Sequence, residues 1–291
     1  MFISDLLVNH LIEEDIPYGD VTTEMMGISY LPGVMEFKAR YDCTLAGIDE
    51  AAAVLEKLGA QIERHAAKGD DLKAGAPIMT AQASAQILHS GWKVAQNIME
   101  HACAIATRTH DMVSQGKAIN PDLVIACTRK CFPTGKTISI NAIQAGGGTP
   151  HRLGLSETFL LFDNHSVFID GHKQLLRALR QAVILQPERK LVVECTDLEF
   201  ARQAAKCGAS VIQFDKVPAA QLKSWVPELK SEFPALKIAA AGGINAQTIQ
   251  EIAATGIDIV VTSSVYTGKP MDIEVKIYKD SLTSENKNSK I

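Results

Sequence analysis

The sequence predicts an α/β protein: an incomplete parallel α/β barrel of six or seven strands behind an N-terminal α+β sandwich domain. Three observations support this. After Asn120-Pro121, short apolar runs alternate with helical stretches: LVIACT, TFLLFD, LVVECT, VIQFD, KIAAAGG and IDIVVTSS. Such alternation calls for parallel strands joined by crossover helices. Nearly every run also ends in polar residues, at Thr128-Arg129-Lys130, Asp163-Asn164-His165, Glu194, Asp215, Gly242-Gly243 and Thr262-Ser263-Ser264. Barrels collect chemistry from many strand ends at one mouth, whereas open sheets concentrate ligands at one switch point, so the barrel is favoured. Finally, residues 34–83 hold the strand-like runs VMEFKAR, CTLAGI, QIERHAA and PIMTAQA around one helical run, DEAAAVLEKLG, as in an α+β unit.

Between these parts, Ala95, Ile98, Met99, Ala102, Ile105, Ala106, Thr109 and Met112 recur at helical spacing and predict a long joining helix over 90–113. The expected division is 1–112 for the first domain with this helix and 113–270 for the barrel. In 271–291, DIEVKIYKD is expected to return to the first domain and SLTSENKNSK to form a polar tail. His101, one residue from the helix's apolar face, is expected to pack in the core.

The chain has 291 residues, 46% hydrophobic and 21% charged, a composition that suits an ordinary globular fold. Its formal net charge of -4 makes any cationic cluster a local feature, which argues against nucleic acid and for a small anionic ligand. No stretch approaches the roughly 20 apolar residues of a membrane span, and the first residues are acidic rather than basic, so a cytoplasmic location is expected. Six cysteines lie in apolar contexts without C-x-x-C spacing and read as buried free thiols. A reactive thiolate at Cys127 or Cys131, beside Arg129-Lys130, is the subordinate reading.

Arg129 and Lys130 directly follow an apolar strand and a Phe132-Pro133-Thr134-Gly135 turn follows them, so they are expected to reach into the mouth. Arg supplies a bidentate fork for carboxylate or phosphate and Lys a compact charge. His151-Arg152 follows Gly146-Gly147-Gly148, where a ligand-binding loop and a plain linker are evenly matched readings. Glu194 and Asp215 end adjacent apolar strands. Buried carboxylates are costly unless paired or metal-bound, so they suggest Mg²⁺ or ribose hydroxyls, with pairing to Lys190 or Lys216 as the alternative. Gly242-Gly243 and Thr262-Ser263-Ser264 close the last two strands, where barrels often bind phosphate.

Taken together, GDVTT at 19–23, TRK at 128–130, GGG-x-x-HRLGL at 146–155, DNH at 163–165, Glu194, Asp215 and GGI at 242–244 resemble the quinolinate phosphoribosyltransferases, also called nicotinate-nucleotide pyrophosphorylases. The resemblance spans nearly the whole chain in one order. It implies a homodimer with active sites shared between subunits. It also implies transfer of ribose phosphate, with Mg²⁺, from phosphoribosyl pyrophosphate to a small aromatic acid. By resemblance Arg129, His151 and Arg152 hold the acceptor carboxylate and Lys130 contacts acceptor and pyrophosphate. Glu194 and Asp215 bind ribose or Mg²⁺, and Gly242, Gly243, Ser263 and Ser264 form the 5′-phosphate site.

The departures are specific. Lys93, in Trp92-Lys93-Val94-Ala95-Gln96-Asn97, stands for the arginine of the family's E-R-x-x-L-N, and Phe162 for the lysine of I-K-D-N-H. An S-x-G becomes Val261-Thr262-Ser263, and L-D-N becomes Phe214-Asp215-Lys216. These variants resemble the ModD branch, associated with molybdenum transport genes. Charge is lost where a dicarboxylate would sit, so the expected acceptor is a heteroaromatic carboxylate other than quinolinate. The alternatives are a genuine quinolinate enzyme in which Lys93 and Arg108 cover the missing charge, and a non-catalytic binding protein.

Overall fold

A computed structural model describes residues 1–280; the polar tail expected in 281–291 lies outside the described residues. The chain divides into two compact units, one of residues 1–107, 132–147 and the chain from Gly268, the other of 108–131 and 148–267.

In the first unit α1 (Asp5–Asp15) and α2 (Val21–Met25) precede β1 (Pro32–Ala39) and β2 (Cys43–Thr44). They are followed by α3 (Ile48–Leu58), β3 (Gln61–Arg64), β4 (Asp71–Leu72) and β5 (Pro77–Ser84). The GDVTT motif is a helix start: the Asp20 carboxylate accepts the N–H groups of Thr22 and Thr23, satisfying donors that the first turn leaves open. β1 alternates half-buried and buried residues, and its inward Met35, Phe37 and Ala39 pack with Ala51 and Leu55 of α3. The helix α4 (Ala85–Ile119) adds Ala95, Met99 and Cys103 to that core. It is longer at both ends than the spacing predicted. His101 is exposed rather than packed in the core; each helical step turns the side chain by about 100°, and Ala102 takes the inward place.

The second unit contains β6 (Val124–Cys127), β7 (Thr149–Pro150), β8 (Phe159–Leu161), β9 (Leu191–Cys195), β10 (Val211–Asp215), β11 (Lys237–Ala241) and β12 (Ile259–Thr262). They form one seven-stranded sheet in the order β7-β6-β12-β11-β10-β9-β8, with every pair parallel. That order is the chain order written on a circle and cut between β7 and β8, which do not pair among the described residues; the barrel is therefore incomplete. The seventh strand, β7, lies in the stretch after the glycines, where the sequence reads as either a ligand-binding loop or a linker. The helix after β6, α5 (Lys136–Ala145), packs in the first unit, where Ala142 clusters with Ala46, Ala102 and Ala106. β8 leads into the one-turn α6 (Asp163–Ser166) and then α7 (His172–Leu185). α8 (Leu198–Lys206), α9 (Ala219–Glu232) and α10 (Ile249–Ala253) follow β9, β10 and β11. The last strand, β13 (Ile273–Lys279), returns to the first unit and completes an antiparallel sheet, β13-β1-β5-β3.

Alternation along the parallel strands sorts the residues. One face of β10, Ile212 and Phe214, is buried, with the Phe214 ring 5.3 Å from that of Trp225 on α9. On the other face Ala126, Ala239, Ala241 and Val261 cluster, with Val211 and Ile259 beside them. All six cysteines are free, five of them buried, and burial pushes the Cys127 thiol up to about 12, which removes the thiolate reading there. Among the described residues no helix is long and apolar enough to cross a membrane.

Gly47 precedes α3 at φ 77°, and a Cβ there would lie 2.8 Å from Ala102 Cβ and 3.0 Å from Ile98 O. The substitution Gly47→Ala combines a left-handed backbone with overpacking, and we expect it to cost about 2–4 kcal/mol. Urea and thermal unfolding measure this; a loss below about 1 kcal/mol would show that the packing around α4 yields.

Candidate active site

The two-residue period that fills the barrel with small apolar side chains also sets what stands above them. Continued past the strand ends, the inward series of Ala126, Leu160, Ala241 and Val261 reach Thr128, Phe162, Gly243 and Ser263. On β10 the same face carries Gln213 and then Asp215, with Glu194 of β9 level with Gln213. These residues, with Arg129, Lys130, His151, Arg152, Gly242 and Ser264, line one cavity of about 1040 Å³.

One side of the cavity is cationic. Arg129 and Lys130 are exposed, and the strand end beneath them is pinned by the Tyr266 hydroxyl, which donates to Thr128 O at 2.6 Å. Lys130 N donates to Thr128 Oγ1 at 3.2 Å. Arg152 is buried; its Nη2 donates to Leu155 O at 3.3 Å, and its Nε has no partner among the described residues. Burial and the Arg129 charge both work against the Arg152 proton. A buried guanidinium short of acceptors is a standing demand for an anion. Burial, then Arg152, then Arg129 push the His151 imidazole below its ordinary value, which leaves it neutral at pH 7.

The facing side is acidic. Burial and the neighbouring Asp215 hold Glu194 above the usual carboxylate range, while Gln213 Nε2 donates to its Oε2 at 2.8 Å. Lys216 Nζ lies 3.2 Å from Asp215 Oδ2, but Lys216 is 79% exposed and such a pair is weak. The Lys216 backbone adopts φ 55°, unusual for a lysine, with its N–H donated to Ala241 O at 2.8 Å. Gly242 shows why the turn needs glycine: at φ 91° a Cβ would sit 2.5 Å from Lys216 Cγ and 2.8 Å from Asp215 Oδ1. Gly243, at φ 74°, would meet nothing within 4 Å among the described residues, so its backbone is open to an approaching group.

Thr262 Oγ1 donates to Ile244 O at 2.7 Å and accepts from Ser264 N at 3.1 Å, which ties the ends of β11 and β12 together. One 3-10 turn, Ser264–Tyr266, follows β12. The Phe162 ring meets His165 edge-on, with centroids 4.3 Å apart.

The structure brings Arg129, Lys130, His151, Arg152, Phe162, Glu194, Asp215, Gly242, Gly243, Ser263 and Ser264 to this cavity, and leaves Lys93, Arg108 and Asp163 outside it. Lys93 lies in the first unit, exposed, with Nζ 2.8 Å from Gln96 Oε1 and 4.0 Å from the Trp92 ring centroid. Arg108 does not line the cavity either; its Nε donates to Val265 O at 2.8 Å. Asn164 and His165 face the mouth, whereas Asp163 lines a separate groove with His172. Gln213 and Tyr266 were not singled out from the sequence. For Gln213 the signal was present: one amide inside the apolar run VIQFD.

The comparisons with known proteins give the family and the fold. Models of the quinolinate phosphoribosyl transferase N-terminal and C-terminal domains match residues 20–103 and 105–276. The "Putative pyrophosphorylase ModD" of Pasteurella multocida is 34% identical over 279 residues, 96% of this chain and 99% of the relative. A protein of the same name from Rhodobacter capsulatus is 38% identical over 244 residues, 84% of this chain and 93% of the relative. The carboxylating nicotinate-nucleotide pyrophosphorylase of Homo sapiens is 26% identical over 273 residues, 94% of this chain and 91% of the relative. The solved NadC of Streptococcus pyogenes superposes with a TM-score of 0.87 at 23% identity, covering 96% of this chain and 99% of that one. By class the protein is a phosphoribosyltransferase, one of the glycosyltransferases. The chain belongs to the quinolinate phosphoribosyl transferase family.

His151 and Glu194 give opposite pH signatures. With its folded pKa lowered, His151 contributes stability present above its ordinary 6.5 and lost as pH falls through the folded value. Glu194, raised, contributes stability present below its ordinary 4.5 and lost as pH rises through the folded value. The change His151→Gln removes only the first. We expect the melting-temperature advantage of wild type over this variant to shrink between about pH 7.5 and about pH 5; an advantage constant across that window would overturn the assignment of a neutral buried imidazole.

Proposed function

We propose that the protein transfers a phosphoribosyl group from phosphoribosyl pyrophosphate to a ring nitrogen of a heteroaromatic carboxylate other than quinolinate. The observation that carries this reading is the composition of the mouth: Lys130, Glu194, Asp215 and the Gly242-Gly243 turn surround the cavity, while Phe162 stands where the family's lysine is expected. The Phe162 ring offers a stacking face for a flat acceptor in place of a charge. Buried Arg152, with Arg129 and neutral His151, suits one carboxylate. The quinolinate alternative needs Arg108 to replace lost charge, and the bond from its Nε to Val265 O does not favour that.

In this reading the acceptor nitrogen forms a bond to the anomeric carbon as the bond to pyrophosphate oxygen breaks. Lys130, a compact charge at the exposed rim, receives the leaving pyrophosphate. The Gly242-Gly243 backbone takes the 5′-phosphate, with Ser263 and Ser264 at its edge. The carboxylates of Glu194 and Asp215 offset the positive charge that builds on the ribose ring. Preorganised charge of this kind supplies much of the rate in such reactions.

Mg²⁺ fits the acidic side. Two crowded carboxylates offer hard oxygen donors, and this ion is commonly held by one or two carboxylates plus substrate phosphates. Bound there, it would neutralise pyrophosphate charge. The reading also includes a cytoplasmic homodimer with shared sites, supported by the exposed apolar side chains Phe2, Leu6, Tyr18, Met25 and Tyr30 of the first unit. Its link to molybdenum transport comes through the ModD likeness and not through a metal site: among the described residues no three His, Cys, Asp or Glu residues come together to hold a metal.

Pyrophosphate release and product mass, with phosphoribosyl pyrophosphate, Mg²⁺ and a panel of heteroaromatic acids, test the proposal. We expect a preferred acid to exceed quinolinate by about tenfold to several hundredfold in kcat/KM, the worth of one or two charge-assisted hydrogen bonds. Quinolinate performing equally well would overturn it. The variant Lys130→Ala should melt like wild type yet lose turnover; a fully active variant would remove the role given to Lys130.

A further inference from the structure

One buried group of the mouth has no part in this chemistry. Gln213 sits on the inward face of β10, is 4% exposed, and lies level with the small Ala239 of β11. Its Nε2 donates to Glu194 Oε2 at 2.8 Å. Only the NH₂ end of an amide can serve a carboxylate in that way, so Glu194 fixes the orientation and turns Oε1 elsewhere. Oε1 is buried and has no hydrogen-bond partner among the described residues. Gln213 is also a wall of the cavity, and its Oε1 lies within reach of the His151 imidazole, an approach that favours the imidazole's proton but falls short of hydrogen-bond geometry and so leaves the oxygen open to a better-placed donor.

A buried carbonyl without a partner costs free energy comparable to a lost hydrogen bond, and native proteins rarely leave one. A substrate that donates to it recovers that cost, and a substrate that cannot donate leaves it in place. This asymmetry makes buried polar groups strong discriminators.

We infer that Gln213 determines acceptor specificity: its Oε1 accepts a hydrogen bond from the acceptor, which is therefore a heteroaromatic carboxylate bearing an amino, hydroxyl or ring N–H donor. A second carboxylate in that place would face two acceptors at once, the Gln213 lone pairs and Glu194. The inference rests on the transfer reading for the class of acceptor and deepens it.

The test compares nicotinate, quinolinate, 2-aminonicotinate and 2-hydroxynicotinate on the full chain. Each acid is titrated calorimetrically without donor, then assayed for transfer with phosphoribosyl pyrophosphate and Mg²⁺. We expect at least one donor-bearing acid to bind about tenfold or more tightly than nicotinate, as one recovered hydrogen bond allows. In Gln213→Met, which keeps the length and removes the acceptor, that preference should disappear while nicotinate binding is retained. No preference in wild type overturns the inference by itself, whether or not the variant folds. A variant that weakens all acids equally also overturns it, because Gln213 would then act only through Glu194 or His151. Transfer without preference leaves the function standing and removes the inference. Preference without transfer does the reverse, and binding of no acid removes both.

Discussion

The parallel hydrogen-bonded ladder from β7 round to β8 is the constraint on which the rest depends. Its register fixes which of each pair of residues faces inward. Alanines 126, 239 and 241 leave that interior narrow and filled, so polar groups of the inward series emerge only where the strands end. Because all seven strands run the same way, those ends lie on one side of the sheet. A one-residue slip in β10 would place Ile212 and Phe214 in the mouth and bury Gln213 and Asp215 under α9.

Charge is separated across this mouth, and burial sharpens the separation. The guanidinium of Arg152 and the carboxyl of Glu194 are each disfavoured in charged form by their surroundings, and each gains when an opposite charge arrives. A ligand carrying a carboxylate at one end and an electron-poor ribose at the other satisfies both. The site is thus built for a charge pattern that it does not complete by itself. The turn at Asp215-Lys216 and Gly242 follows the same logic: a left-handed lysine and a glycine without room for a Cβ bring two strand ends close enough to hold Asp215 beside open backbone.

Much of the barrel was legible in the sequence because apolar runs and their polar terminators are local signals. LVIACT, LVVECT, VIQFD and KIAAAGG each declare a strand and the group at its end. The signals failed where the deciding contact is distant. β7 is two residues long and pairs only because Ala126 and Cys127 lie alongside. The helix α5 follows a barrel strand but meets alanines of α4 in the other unit. His101 was read one step too far inward, since a helix face seen from spacing alone has soft edges. Arg108, offered with Lys93 as cover for the missing charge in the quinolinate alternative, has a backbone carbonyl to satisfy, that of Val265.

The sequence by itself determined the class of fold, most of the barrel strands and nearly all of the side chains at the mouth, because two-residue and near-four-residue periods are written in the chain. Only the tertiary structure decided which of them meet, in which direction burial shifts His151 and Glu194, and that Gln213 stands between the two with one oxygen that makes no well-formed hydrogen bond. Those properties arise from residues dozens of positions apart, brought together by the ladder, and a desolvation energy does not exist until the neighbours that exclude water are in place.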